Sequence, residues 1–322
     1  MLTNRHGLAT LALLLLLAAC QATRPPSEYT APPAASAAWD AYASDFVESY
    51  FVAQPGVAVW AGRHEFDGKL PDWSAAGIKR EIQRLHAERG RAAAFPNATL
   101  DARQRFERDY LIARIDRDLF WQESLEWPFR SPTYYSFTLE PDVYVARPYA
   151  PLPERLRAYT RYATSIPAAA GQIRANLRTP LPRTYVQIGH IVFGGLANFY
   201  EKDVPGIFAT VADAQLQAEF RAANAGAIKA MKDLDAWFTQ QEAAATDAFA
   251  LGADKFGEML RSTERVDVPL AQFKAIAERA AAYLGIRPDV EAPSDQPVSR
   301  AEAVAESAAS NTLTAAQSGG NY

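Results

Sequence analysis

Cysteine is almost absent from this 322-residue chain: Cys20 is the only one. No disulfide can form within a single chain, so a core must come from apolar burial alone. Histidine is scarce as well, at positions 6, 64, 86 and 190 only. Hydrolytic zinc chemistry needs convergent nitrogen and oxygen donors, and four dispersed imidazoles without paired spacing cannot supply them. Also missing are Gly-x-Ser-x-Gly, Ser-x-x-Lys and Gly-x-Gly-x-x-Gly, the local signatures of serine hydrolases and dinucleotide sites. Runs alternating apolar with polar residues are nearly absent, Val143-Tyr144-Val145 being the one short candidate strand. A clustered basic face is lacking too, since Lys and Arg are scattered among carboxylates and the formal charge is -4. Nucleic acid is therefore not an expected partner.

Two short motifs come close to metal or phosphate chemistry and fall short. His64-Glu65 begins the zinc-protease pattern His-Glu-x-x-His, but the fourth position after His64 is Gly68. The spacing from Gly62 to Gly68-Lys69 is one residue too long for a P-loop, and Leu70 stands where a magnesium-binding hydroxyl is needed. Asp67-Gly68 and Leu70-Pro71-Asp72 are turn formers, so 62–73 reads as a polar, irregular connection between helices.

The first twenty residues are the most specific part of the chain. Leu8 to Ala19 is an apolar run of twelve residues, with Thr10 its one polar member, after Arg5 and His6. As a helix it would rise only about 18 Å, short of a bilayer core of roughly 30 Å, so it reads as a secretory signal rather than a span. Leu17-Ala18-Ala19-Cys20 resembles the bacterial lipobox, in which the Cys thiol takes a diacylglycerol and becomes the new N-terminus. Gln21 in place of Asp favours, by the same resemblance, the outer membrane of a Gram-negative envelope facing the periplasm. The expected organisation is a signal peptide over 1–19, lipidated Cys20 and a Pro-rich tether over 20–36, a helical domain over 37–288 and a low-complexity tail over 289–322.

Periodicity within the domain is helical throughout. Trp39, Tyr42, Phe46 and Tyr50 form one stripe, Leu111, Ile115 and Leu119 another, and Leu216, Phe220, Ala227, Met231, Leu234 and Phe238 the longest. With prolines marking first turns, helices are predicted near 38–53, 74–93, 101–125, 153–165, 167–178, 182–202, 212–241, 254–263 and 270–285. The fold class is all-α, a multi-helix array or bundle with one long loop. That loop, Trp127 to Pro151, carries five prolines and seven aromatics, too apolar for a free linker and long enough to hold function. Arg130, Tyr144, Arg147 and Arg183 are candidates to line a groove there and take a substrate carboxylate through paired N–H donors; His190 is a further candidate on an apolar helix.

The order of motifs carries a family likeness. Gln54-Pro55-Gly56 ahead of Ala61 to Asp72, then Arg105-Phe106-Glu107-Arg108-Asp109-Tyr110-Leu111, the Pro/Tyr-rich loop, Leu156-Arg157-Ala158-Tyr159 and the region from Gly252 to Phe273 resemble the bacterial domain-of-unknown-function family 885 over about 38–288. The resemblance implies a gluzincin-like metallopeptidase lipoprotein whose zinc ligands lie in a downstream His-Glu-x-x-Pro-Gly-His stretch. No position here matches that stretch, so no zinc ligand or catalytic Glu is carried over, and no cofactor is expected in this chain although zinc is expected in full-length relatives. The chain therefore reads as the N-terminal portion of such a protein, through a broken gene or through natural shortening, and the Gly319-Gly320-Asn321-Tyr322 ending favours the first. A membrane-anchored lipoprotein without catalysis of its own is the leading expectation, and a non-catalytic peptide-binding scaffold the alternative. The lipid bilayer, peptides and self-association through exposed apolar faces are the expected partners.

Overall fold

The computed structural model describes residues 36–284. Two compact units divide at Val266/Asp267. Among the described residues no strand occurs, only an isolated bridge between Pro182 and Thr246, and no helix is long and apolar enough to cross a membrane. The signal peptide, Cys20, the tether before residue 36 and the tail over 289–322 lie outside the described residues.

The first unit opens with α1 (Ala37–Ala53), started by Ser36, whose Oγ accepts from the Trp39 amide. A six-residue α2 (Pro55–Trp60) follows, then the turn containing His64–Phe66, then α3 (Ala75–Ala93) and α4 (Ala102–Leu119). Asp101 and Gln104 form a reciprocal capping box at the start of α4, and Gln104 also fixes the Ser36 backbone. Trp39, Tyr42 and Phe46 from α1, Leu85 and Ala92 from α3, and Ile115 and Leu119 from α4 bury one another in a first core.

A second, larger core is built on three long helices. α8 (Leu152–Asn176) and α9 (Arg183–Lys202) both pack on α11 (Ala214–Gln241), and all six residues of the longest sequence stripe are buried there. The predicted break at Pro167 does not occur: α8 is continuous, where two helices were expected. Pro167 lies exposed, while Ile166, Ala169, Ala170 and Ile173 continue the buried stripe of Leu156, Tyr159 and Tyr162. One interior proline costs about 3 kcal/mol, and burial of four further apolar side chains on the same face outweighs it.

The long loop is ordered into α5 (Trp127–Arg130), α6 (Thr133–Ser136), the turn Phe137–Leu139 and α7 (Asp142–Val145). Val143-Tyr144-Val145 is one turn of helix rather than a strand, and all three residues are buried in the second core with Tyr135 and Leu139. One hydrogen bond closes within the loop, from Tyr135 Oη to the Pro128 carbonyl at 2.5 Å, and others tie it to α8 and α9: Asn176 Nδ2 donates to Tyr135 Oη at 3.0 Å, and Tyr200 Oη donates to the Leu139 carbonyl at 2.5 Å. A short α10 (Val204–Ile207) and α12 (Ala253–Thr263), which packs on α4, complete this unit. The second unit contains α13 (Leu270–Leu284), with a Lys274–Glu278 pair one turn apart.

Candidate functional site

At the C-terminal end of α4 the helix widens into one π-type turn, Phe120–Ser124, in which the Leu125 amide donates to the Phe120 carbonyl at 2.8 Å. The extra residue turns the following side chains relative to the α4 stripe, so Phe120 is buried while Trp121 stands half-buried beside a cleft. Glu126 then reverses the chain in the left-handed region, φ 53°, and brings Trp127 edge-on to Trp121 with ring centroids 5.4 Å apart. Tyr185 meets the other side of Trp127 at 5.6 Å.

The cleft has a volume of about 410 Å³, within the range of small-ligand sites. Trp121, Trp127, Tyr134 and Phe137 form its aromatic wall. Phe137 is 62% exposed, its ring stacked on Trp60 with centroids 6.2 Å apart. The opposite edge carries Arg114, Arg117 and Asp118 from the last turns of α4, with Trp121 following in the π-type turn. Asp118 accepts from Arg114 Nε at 3.1 Å and lies 3.8 Å from Arg117 Nε, while Arg114 Nη2 donates to the Tyr50 hydroxyl at 3.1 Å. Two cations against one carboxylate leave this edge with a net positive charge. Burial pulls the Arg114 guanidinium down, but Asp118 and Tyr50 outweigh it and hold it above its ordinary value. Burial, and after it the neighbouring Tyr135 and carboxylates, raises the Tyr134 phenol, which stays neutral.

Gln122 is the most unusual member of the wall. It is only 7% exposed, and its amide oxygen is enclosed without a hydrogen-bond partner. Buried acceptors are normally paired, and an orphan costs about 1–3 kcal/mol. Phe137 and Thr138 also border a smaller cavity of about 40 Å³, lined further by Lys69, Tyr144 and Tyr162, with room only for a few waters.

The residues singled out from sequence are placed apart from this edge. Tyr144 is buried and accepts from the Gly68 amide at 3.0 Å; burial pushes its phenol up to about 12. Arg147 lies over the Trp60 ring at 4.7 Å and donates to the Trp60 carbonyl at 2.9 Å. Arg130 is half-buried on α5, and Arg183 faces Asp247 at 3.6 Å. His190 is exposed on α9 with Nδ1 against Asp235 Oδ1, close enough for an ion pair but not aligned as a hydrogen bond, so that oxygen remains unsatisfied. Of the five, Tyr144 alone lines one of the cavities described, and Arg130, Arg147, Arg183 and His190 line neither. The arginines that do face the aromatic wall, Arg114 and Arg117, were legible only as members of a predicted helix.

His64 and Glu65 do not cooperate. The His64 ring stacks on Tyr149 at 3.6 Å and its Nδ1 lies 3.2 Å from Asp67 Oδ1, whereas Glu65 accepts from Arg63 Nε at 2.5 Å. Among the described residues no three His, Cys, Asp or Glu side chains converge on a point that would hold a metal ion. The resemblance places zinc ligands in a stretch that no position of this chain matches, and His64 and Glu65 do not fit a zinc in its stead.

No curated protein matches the chain. A solved structure, of "a putative lipoprotein of unknown function from Shewanella oneidensis", superposes with a TM-score of 0.69 at 17% identity, covering 78% of this chain. At that identity the likeness shows a shared fold. The chain spans 46% of that structure's length. The family model described as bacterial protein of unknown function (DUF885) matches residues 55–309, most of the sequence, and the chain belongs to that family.

Proposed function

We propose that this protein is a lipid-anchored module of the Gram-negative cell envelope that holds a peptide segment in the cleft between α4 and the aromatic loop. It corresponds to the substrate-holding portion of a metal-dependent peptidase, and does not hydrolyse peptides by itself. One observation carries the binding role: an aromatic wall, an uncompensated cationic edge and an orphan buried amide converge on a cleft of about 410 Å³. Aromatic surfaces bury apolar side chains, and guanidinium groups pair with carboxylates.

The anchoring role rests on Leu17-Ala18-Ala19-Cys20, and the structural neighbour's description as a "putative lipoprotein" is compatible with it. Several acyl chains on Cys20 would give stable attachment, each buried CH₂ contributing about 0.8 kcal/mol. The outer membrane is the proposed destination because Gln21 follows the acylated residue.

The test has two arms. Radiolabelled palmitate should enter the wild-type chain and be absent from Cys20→Ser, which should be recovered without membrane association; labelling of that variant would refute the anchor. Titrating the purified protein with a mixture of short peptides should quench tryptophan fluorescence saturably with no new amine released. Turnover of the mixture, abolished by a chelator, would refute the non-hydrolytic reading.

A further inference from the structure

We infer that the ligand of this cleft is the carboxy-terminal end of a peptide with an apolar last residue, read by its free carboxylate; the inference rests on the peptide-binding reading above. Three features of the site define complementary parts of such a ligand. Arg114 and Arg117 lie one turn apart on α4, and their only acidic neighbour in the cleft is Asp118. Asp118 occupies the Nε sides of the two guanidinium groups, at 3.1 Å and 3.8 Å. Arg117 has no hydrogen bond to another described residue, so its Nη donors are available to an anion. A carboxylate there completes a two-plus, two-minus arrangement in which each charge faces its opposite.

Gln122 supplies the second requirement. Its amide lies one residue beyond Trp121 and eight beyond Arg114, in the cleft wall, with the oxygen enclosed and unpaired. Its Nε2 makes no hydrogen bond to another described residue and, unlike the oxygen, is not enclosed, so it can donate to a ligand carbonyl or carboxylate oxygen in the cleft. Trp121, Trp127 and Phe137 receive the terminal side chain, and the exposure of Phe137 is relieved when they do.

The probes are acetyl-Ala-Ala-Ala-Phe with a free carboxylate, the same peptide as its carboxy-terminal amide, and the amide of acetyl-Ala-Glu-Ala-Phe. Binding to the full-length protein is measured by isothermal titration calorimetry. The free acid is expected to bind at least about tenfold more tightly than either amide, because a charge-assisted pair contributes more than about 1.4 kcal/mol. In Arg117→Gln the acid should fall to within about twofold of the amide while the amide is unchanged. Arg117 is exposed, with a single 3.8 Å ion contact, so its thermal unfolding should match wild type and exclude misfolding. In Gln122→Leu both forms should weaken severalfold.

Equal binding of acid and plain amide overturns the carboxylate inference while leaving peptide binding intact. Equally tight binding of the Glu-containing amide overturns the terminal assignment, since any acid would then serve. Absence of binding by all three overturns both the inference and the peptide-binding reading.

Discussion

Replacing Tyr159 by Phe removes one oxygen from the middle of the larger core, and the structure sets what that oxygen contributes. Tyr159 on α8 is fully buried and donates to Asn224 Oδ1 on α11 at 2.5 Å; Asn224 Nδ2 in turn donates to the Tyr200 carbonyl on α9 at 2.8 Å. This polar chain is the one place where all three long helices are fixed to one another by directional bonds through one side chain. Phe fills the same space, so no cavity forms and the apolar term is conserved. What changes is the hydrogen bond, about 1 kcal/mol net, together with the cost of leaving Asn224 Oδ1 buried without a donor, about 1–3 kcal/mol. The sum expected is about 2–3 kcal/mol.

For a domain of this size that corresponds to a fall in melting temperature of about 4–12 °C, read by circular dichroism at 222 nm. Tyr162→Phe is the internal comparison, because its hydroxyl makes only longer contacts, 3.2 Å to the Thr138 carbonyl and 3.4 Å to Tyr200 Oη. It should cost less than half as much. The double variant Tyr159→Phe/Asn224→Leu removes both partners and should be less destabilised than the sum of the two single variants by at least about 1 kcal/mol. Additive single effects, or a Tyr159→Phe protein as stable as wild type, would refute the argument that this bond joins the three helices.

Gly68→Ala should destabilise by about 2 kcal/mol or more in urea unfolding, since φ is +85° and an added Cβ would sit 2.5 Å from Arg161 Cβ. Gly189→Ala should also destabilise despite better helix propensity, because the new methyl would lie 2.5–2.6 Å from the Phe238 ring, itself stacked on Phe193; a stabilised variant would contradict the packing described. Alkaline pH should unfold the protein: burial raises the phenols of Tyr144 (to about 12), Tyr159, Tyr162 and Tyr200, so the folded state keeps protons that the unfolded chain releases near pH 10. Their contribution is complete below about pH 10 and is lost as pH rises toward the folded values. Phenolate absorbance at 295 nm should therefore rise together with loss of helix, and independent titration of these tyrosines without unfolding would count against their burial.

The helices were legible because their stripes are long and their caps explicit. Ser36, Asp101 and Asp213 each cap a predicted helix through a side-chain oxygen, and the boundaries fall within two residues of those expected for α1, α3, α9, α11 and α12, whereas α4 starts as expected but ends at Leu119, six residues early, where the π-type turn takes over. Two failures have clear physical causes. From local sequence Pro167 reads as a first-turn proline, because nothing local reveals that burial on both sides of it holds α8 together. α2 was missed because Pro55-Gly56 reads as a turn, and six residues are too few for periodicity to show.

The cleft was half legible. Aromatic density in 127–151 points to the loop that forms one wall, but Arg130 and Arg147 within that loop and Arg183 beyond it do not line the cleft. The cationic edge comes instead from α4, placed there by tertiary packing. A π-type turn such as Phe120–Ser124 has no sequence signature that single-chain periodicity can detect.

Photocrosslinking tests the central claim most directly. A short peptide with a free carboxylate and a benzophenone on its last residue would be irradiated with the full-length protein, and the adducts mapped by peptide mass spectrometry. Adducts should concentrate on Trp121, Trp127, Tyr134 and Phe137 and be lost with excess unlabelled peptide. Saturable adducts confined to the outer faces of α9 and α11, with none in the cleft, would contradict the account.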